Sequence, residues 1–263
     1  MKRLGIYNNK GGVGKSTLTA NLGAGLALKL GYKTLILDLD SQRDSSKSLG
    51  VLDVERAIND IFEQEEARRK GRVVANEVKL KDCIIYNVRE NLDVLTNRGL
   101  KDIESYIKET RRYDLVFGKM LIDLEKMDYG CIVIDCGPSQ TSINDAILSY
   151  VDCIMVPIQT EAASVEAIGN VYEYLTMLDL PSSKVKFIVP NMFDSRLLDA
   201  KRNLVRIHEY FKNHTHVVIT EPIQRKVKIT EAGAHGKSTF EHDRKAASQF
   251  SKVVESVAEY LKP

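Results

Sequence analysis

Two lysines, three glycines and a serine–threonine pair near the amino terminus have the residue types and spacing to bind a phosphate group. The segment reads Lys10-Gly11-Gly12-Val13-Gly14-Lys15-Ser16-Thr17. An apolar run, Leu4–Tyr7, precedes it, and leucines at helical spacing follow it. Strand, glycine loop and helix together are the context of a phosphate-binding loop. The glycines let backbone N–H groups close around phosphate oxygens, and the helix N-terminus adds positive charge.

The chemistry of this loop predicts two roles. Lys15 would reach the β- and γ-phosphates of a nucleotide, and the Ser16 hydroxyl would hold Mg²⁺. A glycine-rich turn that binds nothing would need the glycines, both lysines and the Ser-Thr pair to coincide by chance. Lys10 has no ready structural explanation, because two cations would crowd one phosphate tail.

The pair of lysines resembles the deviant Walker A motif of the ParA/MinD ATPases. In that family the first lysine reaches across a dimer to the partner's nucleotide. The resemblance implies that Lys10 acts in this way, that Lys15 is the ordinary loop lysine, and that ATP and Mg²⁺ are the cofactors. It also implies a set of nucleotide-binding residues in the loop: Gly11, Gly12, Val13, Gly14, Lys15, Ser16 and Thr17.

Two carboxylate clusters end predicted strands. The first, Leu37–Gln42, resembles the Asp-x-Asp-Pro-Gln segment of ParA proteins. The resemblance implies that Asp40 positions or activates the attacking water, which a carboxylate near the γ-phosphate can do. Asp38 would support the Mg²⁺ region, although a helix N-cap is an alternative role for this cluster. The second, Cys131–Ser139, resembles Walker B, so that Asp135 would hold Mg²⁺ directly or through water.

Three further segments extend the resemblance. Gly137-Pro138 would be the switch whose backbone senses the γ-phosphate, and Val156–Glu161 resembles a family segment near the nucleotide and the dimer face. Val189–Arg196 resembles the adenine-side loop, in which Asn191 would contact the base through its amide. For Asn191 alone, a polar turn at a strand end is nearly as plausible.

A basic segment near the carboxyl terminus suggests a use for the ATPase. Pro222–Ala232 resembles the basic segment that precedes Glu-Ala in ParA proteins. Arg225, Lys226 and Lys228 are the candidate contacts to DNA phosphates, and ordinary solvated charge is the alternative for each. The family resemblance implies an ATP-bound homodimer that binds DNA non-specifically and a ParB-like partner that stimulates hydrolysis.

Apolar runs that alternate with helical patterns must position these residues. The predicted strands are mostly solid apolar runs, as in parallel strands covered on both faces, and they are listed in chain order: Leu4–Tyr7, Thr34–Asp38, Leu92–Leu95, Cys131–Asp135, Cys153–Pro157, Lys186–Pro190 and Val217–Thr220. We predict an α/β fold, a doubly wound, mostly parallel sheet with helices on both faces, in one domain over residues 1–263. Glu63–Arg72 is expected to be a solvated helix end or loop. The last helix is expected to pack its apolar face on the domain.

Composition narrows the function classes. The 263 residues carry a net charge of only +2, so that DNA contact would need a local patch. The four cysteines form no metal-binding spacing, and three of them lie in apolar runs and are expected to be small core residues. A reducing cytoplasm fits this cysteine usage, and association with the nucleoid is expected there. No apolar run is long enough to cross a bilayer, and no membrane contact is expected.

Other functions remain open at this point. A MinD-like ATPase would need a terminal amphipathic helix with basic and large apolar residues, and residues 258–263 fit poorly. A carrier of an iron–sulfur cluster would need paired cysteine ligands. A cargo-positioning ATPase would use the same ATP and DNA chemistry with a different partner, and the sequence does not separate it from a partition ATPase.

Overall fold

The apolar runs of the chain become strands whose side chains are buried on both faces, as parallel strands beneath helices require. The computed structural model describes residues 1–262, and within them eight strands form one sheet. The strands are β1 (Lys2–Ile6), β2 (Thr34–Leu39), β3 (Ile85–Arg89), β4 (Leu92–Leu95), β5 (Cys131–Cys136), β6 (Cys153–Gln159), β7 (Val185–Asn191) and β8 (Val218–Ile219).

The sheet order places the carboxyl ends of the central strands side by side. The order is β3-β4-β2-β5-β1-β6-β7-β8, and every pair is parallel except β3 with β4. β1 therefore lies between β5 and β6, and the loop that follows β1 lies between the loops that follow its neighbours. Open α/β sheets bind ligands at this edge, where the strand order reverses.

Helices cover both faces of the sheet and enclose two apolar cores. One core lies beneath α1 and α11, and the other lies beneath the helices of the opposite face. The helices are α1 (Lys15–Leu30), α2 (Asp44–Lys47), α3 (Ile58–Arg69), α4 (Lys101–Lys108), α5 (Val116–Met120), α6 (Ser142–Tyr150), α7 (Ser164–Met177), α8 (Leu198–Phe211), α9 (Val227–Ala234), α10 (Thr239–His242) and α11 (Arg244–Leu261). The predicted doubly wound, mostly parallel sheet is confirmed.

Two predictions about the elements need correction. The predicted strands do not include β3. It is an irregular strand, because Asn87 adopts a left-handed conformation (φ 54°) and the β3–β4 register shifts within it. The strand expected over Val217–Thr220 is only the two residues of β8.

Most of Glu63–Arg72 lies in α3, whose last residue is Arg69. The apolar face of α11 packs on the domain as expected, with Phe250, Val253, Val254 and Val257 buried.

The four cysteines are buried and unpaired by disulfides. Across residues 1–262, no helix is both long enough and apolar enough to span a membrane.

Candidate functional site

The glycine loop connects β1 to α1 through two residues in the left-handed region. Gly12 has a φ of 73° and Gly14 has a φ of 87°, which favour glycine over residues with a Cβ atom. A Cβ on Gly14 would also lie 2.3 Å from the Asn191 amide nitrogen. α1 begins at Lys15 directly after this turn, so its free N–H groups open toward the loop. The predicted strand–loop–helix context is present.

Lys15 lies inside the loop rather than on its surface. Its side chain is buried, and Nζ donates to the Lys10 carbonyl over 3.4 Å. Burial lowers the pKa of Lys15, whereas the carboxylates of Asp135 and Asp40 oppose that shift. A lysine held by one long hydrogen bond can move a short distance to a phosphate oxygen.

The Lys10 side chain extends to the end of β6. Its Nζ lies 3.0 Å from Glu161 Oε2 and donates to Gln159 Oε1 over 3.2 Å. The Lys10 side chain is 43% exposed to solvent, and the Glu161 side chain is 60% exposed. Gln159 and Glu161 belong to the Val156–Glu161 segment of the sequence analysis. Lys10 therefore forms a solvent-accessible contact at the end of β6, which we call the Lys10 contact.

Asp38 and Asp135 are neighbours in the β2–β5 ladder and both are buried. Asp38 accepts hydrogen bonds from the backbone N–H and hydroxyl of Ser46 at 2.9 and 2.5 Å, and from Asp40 N–H at 3.2 Å. Burial raises the pKa of Asp38, and the bonds from Ser46 oppose the shift. Asp38 thus anchors α2 beside the site, and both of its carboxylate oxygens already accept hydrogen bonds.

The two carboxylate oxygens of Asp135 differ in their hydrogen bonding. Oδ1 accepts the Thr19 hydroxyl over 3.3 Å, whereas Oδ2 is buried without a hydrogen-bond partner among residues 1–262. Burial, and next the charge of Asp38, raise the pKa of Asp135 well above its ordinary value. A buried carboxylate oxygen without a partner is costly. A divalent cation would supply that partner, so the residues present fit Mg²⁺ with Asp135 and the nearby Ser16 as ligands.

Asp40 lies at the cleft, in the turn that leads from β2 to α2. It is 7% exposed, and its Oδ1 accepts the Gln42 backbone N–H over 2.8 Å. The same turn brings Arg43 N–H to the Asp40 carbonyl at 3.1 Å. This Asp40 turn presents a carboxylate to the space beside Lys15, the position that a water-orienting group needs.

The cleft around these groups has a volume of about 490 Å³. Its walls come from the loop, the Asp40 turn, α2, Pro138 and Met192. A larger groove, about 680 Å³, lies at the sheet edge between residues 50–56 and 82–85, and the glycine loop does not line it. The smaller cleft is the candidate nucleotide site, because of these two cavities it is the one in which the glycine loop meets Asp40.

Asn191 braces the loop in this structure. Its amide Nδ2 donates to the Val13 carbonyl over 2.8 Å, and its Oδ1 accepts the Met192 backbone N–H. The side chain is buried beside Gly14. Contact with a base stays a prediction, and it would require the amide to exchange its bond to Val13.

Two buried asparagines at the site were absent from the sequence analysis. Asn144 donates to the carbonyls of Gly137 and Ser139 at 2.9 and 2.5 Å and so holds the proposed switch. Asn97 donates to the carbonyls of Asp38 and Asp40. The only sequence signal for Asn97 was its position two residues after a predicted strand, because Asp38 and Asp40 lie more than 50 residues away along the chain.

The basic segment lies at the start of α9. Arg225 is exposed, and its backbone N–H donates to the Phe193 carbonyl over 3.1 Å. Lys226 is the N-cap residue of α9, whose first turn contains no acidic residue. Lys228 pairs with Glu231 at 2.7 Å. Within residues 1–262, Arg225 and Lys226 make no ion pair, so their charges are available to an anion while that of Lys228 is partly compensated.

Known proteins resemble this chain along its length. A family model described as an AAA domain (AAA_31) matches residues 1–186. The chromosome-partitioning ATPase Soj of Treponema pallidum is 28% identical over 249 residues, which cover 94% of this chain and 92% of that protein.

Two solved structures share the fold. A Cyanothece McdA variant in complex with ATP superposes with a TM-score of 0.81 at 19% identity, and the match covers 99% of this chain and 96% of that one. Cobyrinic acid a,c-diamide synthase from Mycobacterium smegmatis, with a bound ATP analogue and magnesium, has a TM-score of 0.78 at 20% identity, covering 100% and 96% of the two chains.

The family model spans more than half of the chain and includes the glycine loop, the Asp40 turn and Asp135. The chain belongs to this AAA_31 family and, through it, to the ParA/MinD family of P-loop ATPases.

Proposed function

We propose that this chain is an Mg²⁺-dependent ATPase of the ParA type that partitions a plasmid or chromosome. The observation that carries the proposal is a single cleft that the glycine loop, Lys15 and Asp40 line together, with the buried Asp135 carboxylate close enough to oppose the lowering of the Lys15 pKa. Loop N–H groups and Lys15 bind the phosphates, and Ser16 and Asp135 hold Mg²⁺. The bound Mg²⁺ neutralises phosphate charge. Asp40 orients the water that attacks the γ-phosphate.

The second part of the proposal is a dimer that ATP holds together. Lys10 does not line its own cleft but points to an accessible contact with Gln159 and Glu161. That direction supports an action of Lys10 on the nucleotide of a partner chain, as in the ParA/MinD family. Hydrolysis would then remove the γ-phosphate, whose charge holds both chains, and the dimer would dissociate.

The third part is DNA binding that depends on the dimer. Arg225 and Lys226 stand at the N-terminal end of α9, where the helix dipole adds to their charge. Contacts of this kind neutralise phosphates and read no base sequence. The Treponema relative is a chromosome-partitioning ATPase, and this favours a replicon as the cargo. The dimer would associate with the nucleoid, and a ParB-like partner would stimulate hydrolysis.

Phosphate release tests the ATPase part. Wild-type protein should release phosphate from ATP with Mg²⁺ and stop in EDTA. Lys15→Ala should lose ATP binding, because the phosphates lose their buried cation. Asp40→Ala should still bind ATP but turn over about 10²-fold to 10⁴-fold more slowly, the usual contribution of such a group. Wild-type protein without turnover, or Lys15→Ala with normal ATP affinity, would contradict the proposal.

Sedimentation with a slowly hydrolysed ATP analogue tests the dimer. Wild-type protein should dimerise with the analogue and stay monomeric with ADP. Lys10→Ala should reduce dimerisation or hydrolysis more than it reduces the ATP affinity of the monomer. A loss of monomer affinity alone would show that Lys10 serves its own nucleotide.

A further inference from the structure

Asn97 is a fully buried asparagine whose side chain makes three hydrogen bonds. Its Nδ2 donates to the carbonyl of Asp38 over 3.1 Å and to that of Asp40 over 3.0 Å. Its Oδ1 accepts the backbone N–H of Gly99 over 2.9 Å. The Gly99 donor fixes which end of the amide is the oxygen. We call these three bonds the Asn97 clamp.

The sheet explains why a side chain is needed there. The β2–β4 ladder ends at the pair Leu37–Leu95, whereas β2 continues to pair with β5 as far as Leu39 and Cys136. Beyond Leu37, the side of β2 that faces β4 therefore has no strand beside it. A carbonyl left there without a donor in a buried place is costly. Asn97, two residues past the end of the β4 ladder, donates to the Asp38 carbonyl and adds a second donor to the Asp40 carbonyl.

The clamp acts on the backbone that carries the proposed water-orienting carboxylate. The Asp40 carbonyl accepts both Asn97 Nδ2 and Arg43 N–H, and the Asp40 side chain is tied to Gln42 N–H. The last two bonds are local to the turn and move with it. The Asn97 bonds join the backbone of the Asp40 turn to the loop that follows β4, whereas the other contact from this turn to that loop, Arg43 Nε to Thr96 Oγ1 at 3.3 Å, joins two side chains.

We propose that Asn97 is a positioning residue for ATP hydrolysis, which sets the place of the Asp40 carboxylate through the two backbone carbonyls. The inference rests on the proposed ATPase function and adds a residue to it. Asn97 lines no part of the cleft, so it has no contact of its own to offer the nucleotide. Its effect should appear in turnover and not in ATP affinity.

Asn59 offers a matched control within the same loop. It is also a buried asparagine, and its amide donates to the Gly99 carbonyl and accepts the Arg98 N–H, each over 2.7 Å. It therefore holds the 97–99 loop as Asn97 does, but from α3 and without a bond to β2. Asn59→Ala perturbs the loop and leaves both Asp38 and Asp40 carbonyls with their donor.

The test is a double-mutant cycle of Asn97→Ala with Asp40→Ala, measured as kcat and KM for ATP in single- and multiple-turnover assays. A misplaced catalytic group can cost about 100-fold, so Asn97→Ala should lower kcat by roughly 10-fold to 100-fold with KM near wild type. Asn59→Ala should keep kcat within roughly twofold, the usual error of additivity. In the Asp40→Ala background, Asn97→Ala should add no further loss beyond the same margin.

Asn97→Ser keeps one hydroxyl donor and provides the second variant if Asn97→Ala does not fold. It should lose turnover in the same direction but less strongly. Losses from Asn97 and Asp40 that multiply in the double variant would overturn the inference, because Asn97 would then act independently of Asp40. Equal losses in the Asn97 and Asn59 variants would overturn it as well. A wild-type protein without ATP turnover would instead overturn the proposed function, and the inference with it.

Discussion

Release of the Lys10 contact should strengthen the ATP-bound dimer. If Lys10 acts on the partner's nucleotide, it must first leave Glu161 and Gln159 of its own chain. The free energy of that contact then opposes dimerisation. Glu161→Gln removes the charge that holds Lys10 at 3.0 Å and keeps the size of the side chain.

The exposure of the pair sets the size of the effect. Both side chains are well exposed, at 43% and 60%, which makes this a surface ion pair. Such pairs contribute about 0.2–1 kcal/mol. A dimer would release two such pairs, which together contribute about 0.4–2 kcal/mol. In Glu161→Gln, the dissociation constant of the dimer should therefore fall by roughly 2-fold to 30-fold. The lower end is expected, because Gln159 still accepts from Lys10 at 3.2 Å.

Sedimentation equilibrium with a slowly hydrolysed ATP analogue measures the dissociation constant. Glu166→Gln is the matched control, because Glu166 is an exposed glutamate in the first turn of α7 and makes no ion pair within residues 1–262. It changes net charge by the same amount and should leave the constant unchanged. A dimer that is weaker in Glu161→Gln, or equally strengthened in both variants, would refute this role of the Lys10 contact.

Three further predictions concern the phosphate loop, the buried carboxylate and the basic segment. ATP at about 100 times its Kd should stabilise the wild-type protein by about 2.7 kcal/mol, roughly 5–11 °C in Tm, and Lys15→Ala should lose this shift in a thermal melt. Without Mg²⁺ and nucleotide, the raised pKa of Asp135 means that the native state binds more protons than the unfolded state. From the ordinary pKa up to the raised one, the free energy of unfolding should therefore fall as pH rises, by up to about 1.4 kcal/mol per pH unit. Asp135→Asn should remove that slope, and a Tm difference that does not vary with pH would contradict the assignment. Arg225→Ala with Lys226→Ala should lower the slope of log affinity for DNA against log salt by roughly 2 in a titration, and an unchanged slope would exclude both as phosphate contacts.

The sequence predicted those parts of the fold that depend on local pattern. Solid apolar runs such as Cys131–Cys136 indicate central parallel strands, because a strand buried on both faces has no polar side. β3 lacks that pattern: it is an edge strand with partly exposed residues and a left-handed asparagine. Its position comes from antiparallel pairing with β4, which no local period reveals.

The same limit applies to the site. The glycine loop was readable because its chemistry lies in consecutive residues. Asn97 was not, because its partners Asp38 and Asp40 become neighbours only when β4 pairs with β2. The Lys10 contact was hidden for the same reason, since 151 residues separate Lys10 from Glu161. Contacts that depend on strand order require the structure.

Binding to random-sequence duplex DNA tests the central claim most directly. The affinity should be measured without nucleotide, with ADP, with ATP and with a slowly hydrolysed ATP analogue, each across a salt series. The account predicts binding only with ATP or the analogue, and an affinity that falls steeply as salt rises. ATP turnover without DNA binding in any nucleotide state would contradict the claim that this ATPase partitions DNA.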